Sequence, residues 1–227
     1  MSLAERLGEI QRRVSVAATD AGRSSSEIEL IVVTKNHPTQ LVFDLLDLGV
    51  RDFGENRDQE AAPKSAAVRS NSGIEHRWHF IGQLQTNKVK SVVSYAHSVH
   101  SLDRQSLLDS LGKATVEREV PLEVFIQLNL TADPNRGGIN PSDLNEFADG
   151  VVKHSGLNLR GVMGVASLDN QLDRDFEAIL KASQALQKIL PTANQISAGM
   201  SEDFETAIGY GATHLRIGSA ITGKRQY

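Results

Sequence analysis

Apolar residues along the chain alternate between helical spacing and continuous, strand-like runs. The opening segment MSLAERLGEIQRR places Leu3, Leu7, Ile10 and Val14 on one side of a helix. IELIVVT then forms an unbroken run rich in isoleucine and valine, which is typical of a parallel strand buried on both faces. PTQLVFDLLDLG returns to helical spacing. The pattern therefore predicts an initial helix followed by a strand and a second helix.

The unit of a strand followed by a helix recurs to the end of the sequence. Its strands are predicted at IELIVVT, VRDFGEN, RWHFIG, AHSVHSLD, LEVFIQLNL, LRGVMGVAS, NQISAGM and HLRIGSAI. Eight such units predict an α/β protein with a single (β/α)8 TIM barrel, and 227 residues are enough for a compact one. An open doubly wound sheet is the alternative, although the glycine-rich fingerprint that such a sheet places after its first strand is missing. No linker divides the pattern, so residues 1–227 are predicted to form one domain.

Two of the intervening helices have expected boundaries that depend on local signals. Pro63 and the polar stretch RSNSG are expected to interrupt the helix after the second strand. The helix after the fourth strand is expected to run from about Arg104 to Glu119.

Composition narrows the class of protein. The sequence contains no cysteine, which excludes disulfides and thiol chemistry and is compatible with a reducing cytoplasm. A net charge of −4 with both signs interspersed predicts no nucleic-acid partner. No apolar run reaches the roughly 20 residues that cross a bilayer, and the charged first segment is expected to be an amphipathic helix rather than a signal peptide. We therefore expect a cytoplasmic protein that binds neither nucleic acid nor membrane.

The ends of the predicted strands carry the candidate chemistry, because ligands of such barrels bind where the strands run into the loops before the helices. These ends offer an amine, amides, hydroxyls and bare backbone. The residues concerned are Lys35, Glu55, Asn56, Ile81, Gly82, Ser101, Asp103, Asn129, Ser167, Met200, Ser201, Gly218 and Ser219.

The last two strand ends indicate a phosphate site. GMSEDFETA places Ser201 at the predicted N-cap of a helix, and RIGSAITG ends the eighth strand in Gly218 and Ser219. The loops after strands seven and eight commonly bind phosphate in TIM barrels. Glycine lets an anion approach the backbone, and serine adds a hydroxyl donor. Ordinary helix caps are the alternative for either segment alone.

Arg216 is expected to point into the barrel mouth. The period of two in HLRIGS places His214, Arg216 and Gly218 on one face, with Leu215 and Ile217 on the face that packs against the outer helices. A guanidinium stays charged at any ordinary pH and therefore needs an acceptor. A buried ion pair with an aspartate or glutamate is the alternative to a role in a binding site.

Lys35 ends the first strand abruptly with an ammonium group that is costly to bury. A lysine that faces a phosphate site across the barrel mouth could hold a phosphorylated aldehyde as a Schiff base. The nucleophile is the neutral amine, so the lysine pKa must fall below its usual value of about 10.4 through desolvation or a nearby positive charge such as Arg216. A surface lysine at a strand end is the alternative.

The seven histidines predict no metal site. His76 and His79, like His97 and His100, are three residues apart in predicted strands and are expected to face opposite sides. His79 is expected inside the barrel, more often as a hydrogen-bonded core residue than as a ligand. Arg136, in the turn DPNRGG, could meet an acidic ligand.

Several of these segments together resemble a known family. VVTK, FGEN, WHFIGQLQTNK, VHSLD, GVMGV, GMSEDFETAI and LRIGSAITG occur in chain order and resemble the pyridoxal phosphate homeostasis proteins, also called the proline synthetase co-transcribed family. The matches cover nearly the whole chain, and WHFIGQLQTNK and the last two segments are long enough to be specific. The resemblance implies a single barrel like the N-terminal domain of alanine racemase that binds pyridoxal 5′-phosphate.

The resemblance also implies roles for individual residues. Lys35 would form the internal aldimine with the cofactor, and Arg216 would face the pyridine nitrogen. The remaining cofactor-binding residues would be Ser201, Gly218 and Ser219 at the phosphate, Ser197 and Met200 near it, and Asn56, His79 and Met163 along the pocket.

The sequence departs from the family pattern in two places. Ala198 stands where the family usually has methionine, a change that is expected to be harmless. The loop LTADPNRGG differs from the commoner acidic and lysine-containing version, so no role is carried over to it.

The residues favour a binding protein over an enzyme. A cationic Arg216 beside the ring nitrogen discourages protonation there and weakens the ring as an electron sink. A two-base racemase also needs a second acid or base, which alanine racemase takes from a tyrosine of a second domain. Here the eight units account for the chain, and Tyr95, Tyr210 and Tyr227 lie at no predicted strand end. We expect a protein that holds pyridoxal phosphate for vitamin B6 and amino-acid homeostasis without efficient catalysis.

Two other functions stay open at this point. One is a pyridoxal phosphate-dependent amino-acid racemase, with a partner supplying the missing base. The other is a Schiff-base aldolase that acts on phosphorylated sugars without a cofactor. A carrier would have pyridoxal phosphate-dependent apo-enzymes as recipients, and a barrel with no second domain is expected to be a monomer.

Overall fold

The computed structural model describes residues 1–131, 137–167 and 171–223. Within these ranges parallel strands pair in chain order and close into an eight-stranded barrel, with the first strand hydrogen-bonded to the eighth. This arrangement confirms the predicted TIM barrel. The strands are β1 Glu29–Val33, β2 Asp52–Glu55, β3 Arg77–Phe80, β4 Ser98–Leu102, β5 Leu122–Gln127, β6 Leu157–Met163, β7 Gln195–Ser197 and β8 His214–Ile217.

Helices surround the barrel. They are α1 Leu3–Asp20, α2 Thr39–Asp47, α3 Asp58–Asn71, α4 Val89–Tyr95, α5 Gln105–Ala114, α6 Leu144–Val151, α7 Leu172–Ile189, α8 Phe204–Gly209 and α9 Ser219–Thr222. The first helix precedes the barrel and packs against α8 and α9. Within the described ranges, none of the helices combines the length and apolar character that a bilayer crossing requires.

The hydrophobic core lies between the strands and the surrounding helices. Val32, Phe53 and Leu215 are fully buried in this layer, as the alternation of strand side chains predicts. The opposite faces of the strands fill the inside of the barrel, and they include the buried polar residues His100 and Arg216. The strand faces that pack against the helices are therefore apolar, whereas the faces inside the barrel include buried polar side chains.

Two helices differ from the expected boundaries. Helix α3 continues through Pro63, because the missing N–H forfeits one backbone bond while Ala61 and Val68 on either side remain buried. Helix α5 ends at Ala114 rather than near Glu119. The apolar residues beyond that point, Val116 and Val120, are 72% and 68% exposed, so they offer no face to pack.

Candidate functional site

A pocket of about 620 Å³ opens at the carboxyl ends of the strands. The residues that line it come from loops that are far apart in the chain and meet only in the closed barrel. Of the residues predicted from sequence, the pocket brings together Lys35, Asn56, Met163, Met200, Ser201, Arg216, Gly218 and Ser219. Three other strand-end residues, Ile81, Gly82 and Ser167, also line it.

Two predicted residues, Ser197 and His79, lie outside the lining of this pocket. Ser197 is fully buried one layer deeper, where its Oγ accepts a hydrogen bond of 2.6 Å from Nη1 of Arg216. His79 is 2% exposed inside the barrel, and its Nε2 lies 2.9 Å from Oδ1 of Asp52. This position agrees with a hydrogen-bonded core residue, and contact of either side chain with a cofactor stays a prediction.

The ends of β7 and β8 place two serine hydroxyls together. Oγ of Ser219 lies 3.4 Å from Oγ of Ser201, and the backbone N–H of Ala220 lies 3.4 Å from the same oxygen. Helix α8 begins at Phe204 with Asp203 as its N-cap, so the prediction of Ser201 as the cap is wrong. The Asp203 carboxylate accepts a hydrogen bond of 2.6 Å from the backbone N–H of Met200 and shapes the turn. The Ser201 hydroxyl therefore remains at the pocket wall instead of closing a helix.

Arg216 projects into the barrel as the strand period predicts. Nη1 donates to Ser197 and Nη2 donates to the backbone oxygen of Gly164 at 2.9 Å. No carboxylate among the described residues lies within 4.0 Å of the guanidinium, so the alternative of a buried ion pair is not found there. Burial lowers the pKa of Arg216 to about 10, and the more distant Asp203 carboxylate opposes that change. The side chain is still a cation at neutral pH.

Hydrogen bonds hold the chain on both sides of Lys35, which is itself half-buried. The preceding residue, Thr34, donates its hydroxyl to Oε1 of Glu55 at 2.8 Å and accepts at its backbone oxygen from Nζ of Lys64 at 2.8 Å. The following residue, Asn36, has a positive φ of 60° and donates its N–H to Glu60 at 2.7 Å. These contacts fix the direction in which β1 leaves the barrel.

A buried ion pair that the sequence did not reveal supports this turn. Nζ of Lys64 lies 2.7 Å from Oε1 of Glu55, and the two side chains are 7% and 1% exposed. Burial raises the pKa of the Glu55 carboxyl, although the hydrogen bond and charge of Lys64 act in the opposite direction. The sequence identifies Glu55 only as a strand-end residue, and Lys64 lies in a helix whose apolar pattern is weak. No local signal could have paired them.

Asn56 presents an unsatisfied oxygen at the pocket. Its Oδ1 is buried and has no hydrogen-bond partner among the residues that the structure describes, an arrangement that ordinarily costs free energy. Gly82, two residues after β3, lies close to the same residue: a Cβ at position 82 would be 2.2 Å from the backbone oxygen of Asn56. Glycine at position 82 is therefore needed for the close approach. A ligand with a hydroxyl donor would satisfy the Asn56 oxygen.

Sequence reasoning also missed His37, which lines the pocket two residues after Lys35. The tyrosines considered from sequence have other partners: the hydroxyl of Tyr95 donates to Asp58 and that of Tyr210 to Asp173. Tyr227 and Arg136 lie outside the described residues.

The amino-terminal end of the barrel holds a second polar cluster. Ligand atoms of Glu29, Asp52 and His79 lie within 4.8 Å of one another. Arg77 pairs with Glu29 at 2.8 Å and with Asp52 at 2.7 Å, so one positive charge offsets part of the combined charge of the two carboxylates. The rings of His97 and His100 lie 5.8 and 5.3 Å from that of His79. The expectation that these two face opposite sides is wrong, because His97 precedes the first residue of β4 and does not follow its alternation.

The pocket combines an amine, a buried guanidinium and a pair of hydroxyls beside a glycine. A guanidinium and hydroxyls suit acidic or hydrogen-bonding groups of a ligand, and the amine can react with a carbonyl carbon when neutral. The arrangement fits a small anionic molecule with a carbonyl group at one end.

Sequence similarity to known proteins extends over nearly the whole chain. The sequence model of the family described as "Alanine racemase, N-terminal domain" matches residues 6–226. The pyridoxal phosphate homeostasis protein of Mycobacterium leprae (strain TN) is 36% identical over 232 residues, which cover 96% of this chain and 90% of that protein. The protein of the same name from Escherichia coli (strain K12) is 35% identical over 228 residues, covering 99% and 97%. The solved structure of PipY from Synechococcus elongatus PCC7942, with PLP bound, is 29% identical and has a TM-score of 0.84 over 98% of this chain and 100% of that one.

Proposed function

This chain belongs to the family of the alanine racemase N-terminal domain and, within it, to the pyridoxal phosphate homeostasis proteins, and from that premise we propose that it binds pyridoxal 5′-phosphate in the pocket at the carboxyl ends of the strands. One observation carries the proposal: Lys35, Arg216 and the Ser201–Ser219 hydroxyls line the same pocket. The cofactor has an aldehyde, a ring nitrogen and a phosphate, and the pocket offers a suitable group for each. The PLP-bound structure of the similar PipY protein supports the assignment.

The side chains of the pocket match the functional groups of this cofactor in their chemistry. The Lys35 amine would attach the aldehyde carbon covalently. Gly218 and the two serines would bind the phosphate, with backbone N–H groups such as that of Ala220 nearby. The buried Oδ1 of Asn56 would accept a hydrogen bond from the ring hydroxyl, which would satisfy an oxygen that has no partner in the described part of the chain.

Five residues complete the proposed set. Arg216 would face the pyridine nitrogen, and Ser197 would hold Arg216 rather than touch the phosphate directly. Met163 and Met200 would supply apolar contact along the pocket wall. His79 would act from within the barrel, since it does not line the pocket.

We propose that the protein stores or delivers the cofactor for vitamin B6 and amino-acid homeostasis, without efficient catalysis. Bound pyridoxal phosphate supplies an electron sink for carbanions, and that sink is strongest when the ring nitrogen carries a proton. The Arg216 cation disfavours a second positive charge at that position. The pocket thus suits retention of the aldehyde better than chemistry on amino acids.

The covalent anchor can be tested on the purified protein. Wild-type protein that has been incubated with pyridoxal phosphate and then desalted is expected to be yellow and to lose that colour with borohydride, which fixes the cofactor to the Lys35 peptide in mass spectrometry. Lys35→Ala should show neither effect, whereas Lys90→Ala, at an exposed position outside the pocket, should behave as wild type. Colourless wild-type protein in the presence of the cofactor would refute the proposal and favour the aldolase alternative.

One observation keeps a racemase as the second candidate. His37 lines the pocket and could provide an acid or base that Tyr95 and Tyr210, which donate to Asp58 and Asp173, do not. Exchange of the α-proton of alanine in deuterated buffer should then be measurable in the wild type and absent in His37→Asn. Cofactor-loaded protein that exchanges no α-proton of alanine or serine excludes this candidate.

The remaining expectations concern the protein in its cell. We propose that residues 1–227 act as one monomeric unit in the cytoplasm and pass pyridoxal phosphate to apo-enzymes that depend on it. Light scattering after size exclusion measures the mass in solution, and cell fractionation checks the location. Delivery is measured by treating each protein with pyridoxal phosphate, desalting it and mixing it with a cofactor-free transaminase, whose activity should recover faster with wild type than with Lys35→Ala.

A further inference from the structure

A continuous chain of hydrogen bonds crosses the inside of the barrel, from the pocket to the opposite mouth. Its members are buried polar side chains contributed by five different strands: Arg216, Ser197, His100, Ser98, His79 and Asp52. Their exposed fractions range from 0% to 8%, so water does not compete for these bonds.

The half nearer the pocket joins Arg216 to His100. Nη1 of Arg216 lies 2.6 Å from Oγ of Ser197, and that oxygen lies 2.7 Å from Nδ1 of His100. Nε2 of the same histidine lies 2.8 Å from Oγ of Ser98. The His100 ring stacks on Phe125 with centroids 4.4 Å apart, which fixes its plane.

The other half leads from Ser98 to a carboxylate. Oγ of Ser98 lies 2.7 Å from Nδ1 of His79, and Nε2 of His79 lies 2.9 Å from Oδ1 of Asp52. Nδ1 of His79 also lies 3.2 Å from Nε2 of His100, so the two rings are connected even without the serine. Asp52 lines the open cavity at the amino-terminal mouth of the barrel.

The two ends determine the direction of the chain. Arginine can only donate hydrogen bonds, and an ionised aspartate can only accept them. Burial raises the pKa of Asp52, but hydrogen bonds from His79 and Arg77 outweigh it and hold the pKa below its usual value, so the group is a carboxylate at neutral pH.

Only one direction uses every donor and acceptor of the chain once. Arg216 donates to Ser197, whose hydroxyl donates to Nδ1 of His100. Nε2–H of His100 donates to Ser98, and that hydroxyl donates to Nδ1 of His79. Nε2–H of His79 then donates to the carboxylate. The reverse direction would send two donors to the Ser197 oxygen and leave its own proton without an acceptor in the chain.

This direction requires a neutral His100, and the buried position of the ring favours the neutral form. Burial holds the pKa of His100 well below its usual value. A neutral imidazole ring accepts one hydrogen bond at its bare nitrogen and donates one from its N–H, just as each serine hydroxyl accepts one and donates one.

We propose that Asp52, His79, Ser98 and His100 are positioning residues that hold Arg216 in the cofactor pocket through Ser197. The carboxylate at the amino-terminal mouth thereby sets the orientation of a side chain at the opposite mouth. The proposal rests on the proposed function for its effect on pyridoxal phosphate, whereas the direction of the chain is a property of the protein alone.

The direction is tested by nitrogen NMR of full-length, cofactor-free protein labelled in the histidine rings. In spectra recorded at pH 7, the proposed direction requires a proton on Nε2 and a bare Nδ1 in both His79 and His100. A proton on Nδ1 of either ring overturns the proposed direction. This measurement needs no variant and is independent of whether the protein binds the cofactor.

The coupling to the pocket is tested by titration with pyridoxal phosphate. Asp52→Asn keeps the shape but removes the charged acceptor, and we expect affinity to fall about fivefold, the effect of weakening one hydrogen bond that holds the pocket arginine. In a Ser197→Ala background the same substitution should change nothing further, because the link to Arg216 is already cut. Glu123→Gln is the matched control, since Glu123 is a carboxylate near the same mouth that pairs with His97 and Arg160 outside the chain.

Two outcomes would overturn the coupling: an equal loss in Glu123→Gln, or full additivity of Asp52→Asn and Ser197→Ala. Wild-type protein without any affinity for pyridoxal phosphate would instead refute the proposed function, and the tautomers of His79 and His100 would still decide the direction of the chain.

Discussion

Removal of the Lys64 ammonium group is expected to be one of the most damaging single changes in this protein. Nζ of Lys64 makes bonds of 2.7 Å to Glu55 and 2.8 Å to the backbone oxygen of Thr34. Lys64→Met leaves an aliphatic chain of similar length in the same space. The Glu55 carboxylate then remains buried, with the Thr34 hydroxyl as the partner of Oε1 and none for Oε2.

The magnitude follows from that burial. Breaking a buried ion pair by removing one partner costs about 3–5 kcal/mol, because the remaining charge stays away from water. An exposed pair with the same geometry provides the comparison. Lys181 lies 2.7 Å from Glu177, but the side chains are 68% and 55% exposed, so Lys181→Met should cost no more than about 0.5 kcal/mol.

The assay is urea unfolding of the cofactor-free protein, followed by fluorescence of the single tryptophan, Trp78, which is buried in β3. Neutralising the second partner should rescue most of the loss. Glu55→Gln with Lys64→Met retains the Thr34 hydrogen bond without a buried charge, and we expect its free energy of unfolding to lie within about 1 kcal/mol of wild type.

The pH dependence has a definite sign. The pKa of Glu55 is already raised by burial, and loss of Lys64 removes the largest opposing contribution. A carboxyl with a raised folded-state pKa is less costly when protonated, so its destabilising effect is relieved at low pH and grows as the pH rises through the folded-state pKa. Lys64→Met should therefore be closest to wild type in acid. A loss at pH 7 as small as that of Lys181→Met, about 0.5 kcal/mol, would refute the reasoning.

Three further predictions concern the pocket and the barrel interior. Ser201→Ala and Ser219→Ala should each weaken pyridoxal phosphate binding by about 1 kcal/mol in a fluorescence titration, and unchanged affinity in both contradicts the phosphate assignment. Arg216→Glu, if circular dichroism shows it folded, should shift the absorption maximum of bound cofactor by favouring a protonated ring nitrogen; a spectrum like that of wild type places Arg216 away from the ring. Burial lowers the pKa of His214 to about 3, so between about pH 6.5 and pH 3 the unfolded state binds more protons than the folded state. The free energy of unfolding should therefore fall as the pH drops through this range, and His214→Asn should make that fall smaller. An equally steep fall in His214→Asn contradicts the prediction.

The strand-end residues were predictable because the carboxyl ends of all strands in a parallel barrel lie at the same mouth. Lys35 and Ser219 are far apart in the chain, yet each ends a parallel strand, and all such ends meet at one mouth. The period of two likewise predicts Arg216 inside the barrel. These predictions needed only local patterns and one topological rule.

Local patterns failed where neighbouring residues broke the regular element. Helix α8 starts after the serine that was predicted as its cap, and Asp203 occupies the N-cap position instead. His97 lies just before β4, so the alternation that was assumed for it does not apply. Pro63 does not end its helix, because burial on both sides stabilises the helix more than one missing hydrogen bond weakens it.

The amino-acid sequence alone determined the barrel and the chemical groups at its mouth, since both depend on periodic apolar positions and on where each run ends. Only the tertiary structure decided which polar groups are partners. The Glu55–Lys64 pair, the orphaned oxygen of Asn56 and the chain from Arg216 to Asp52 arise from closing eight strands into one ring. A buried polar group must find its partner across that ring rather than along the chain, and no spacing in the sequence records which one it finds.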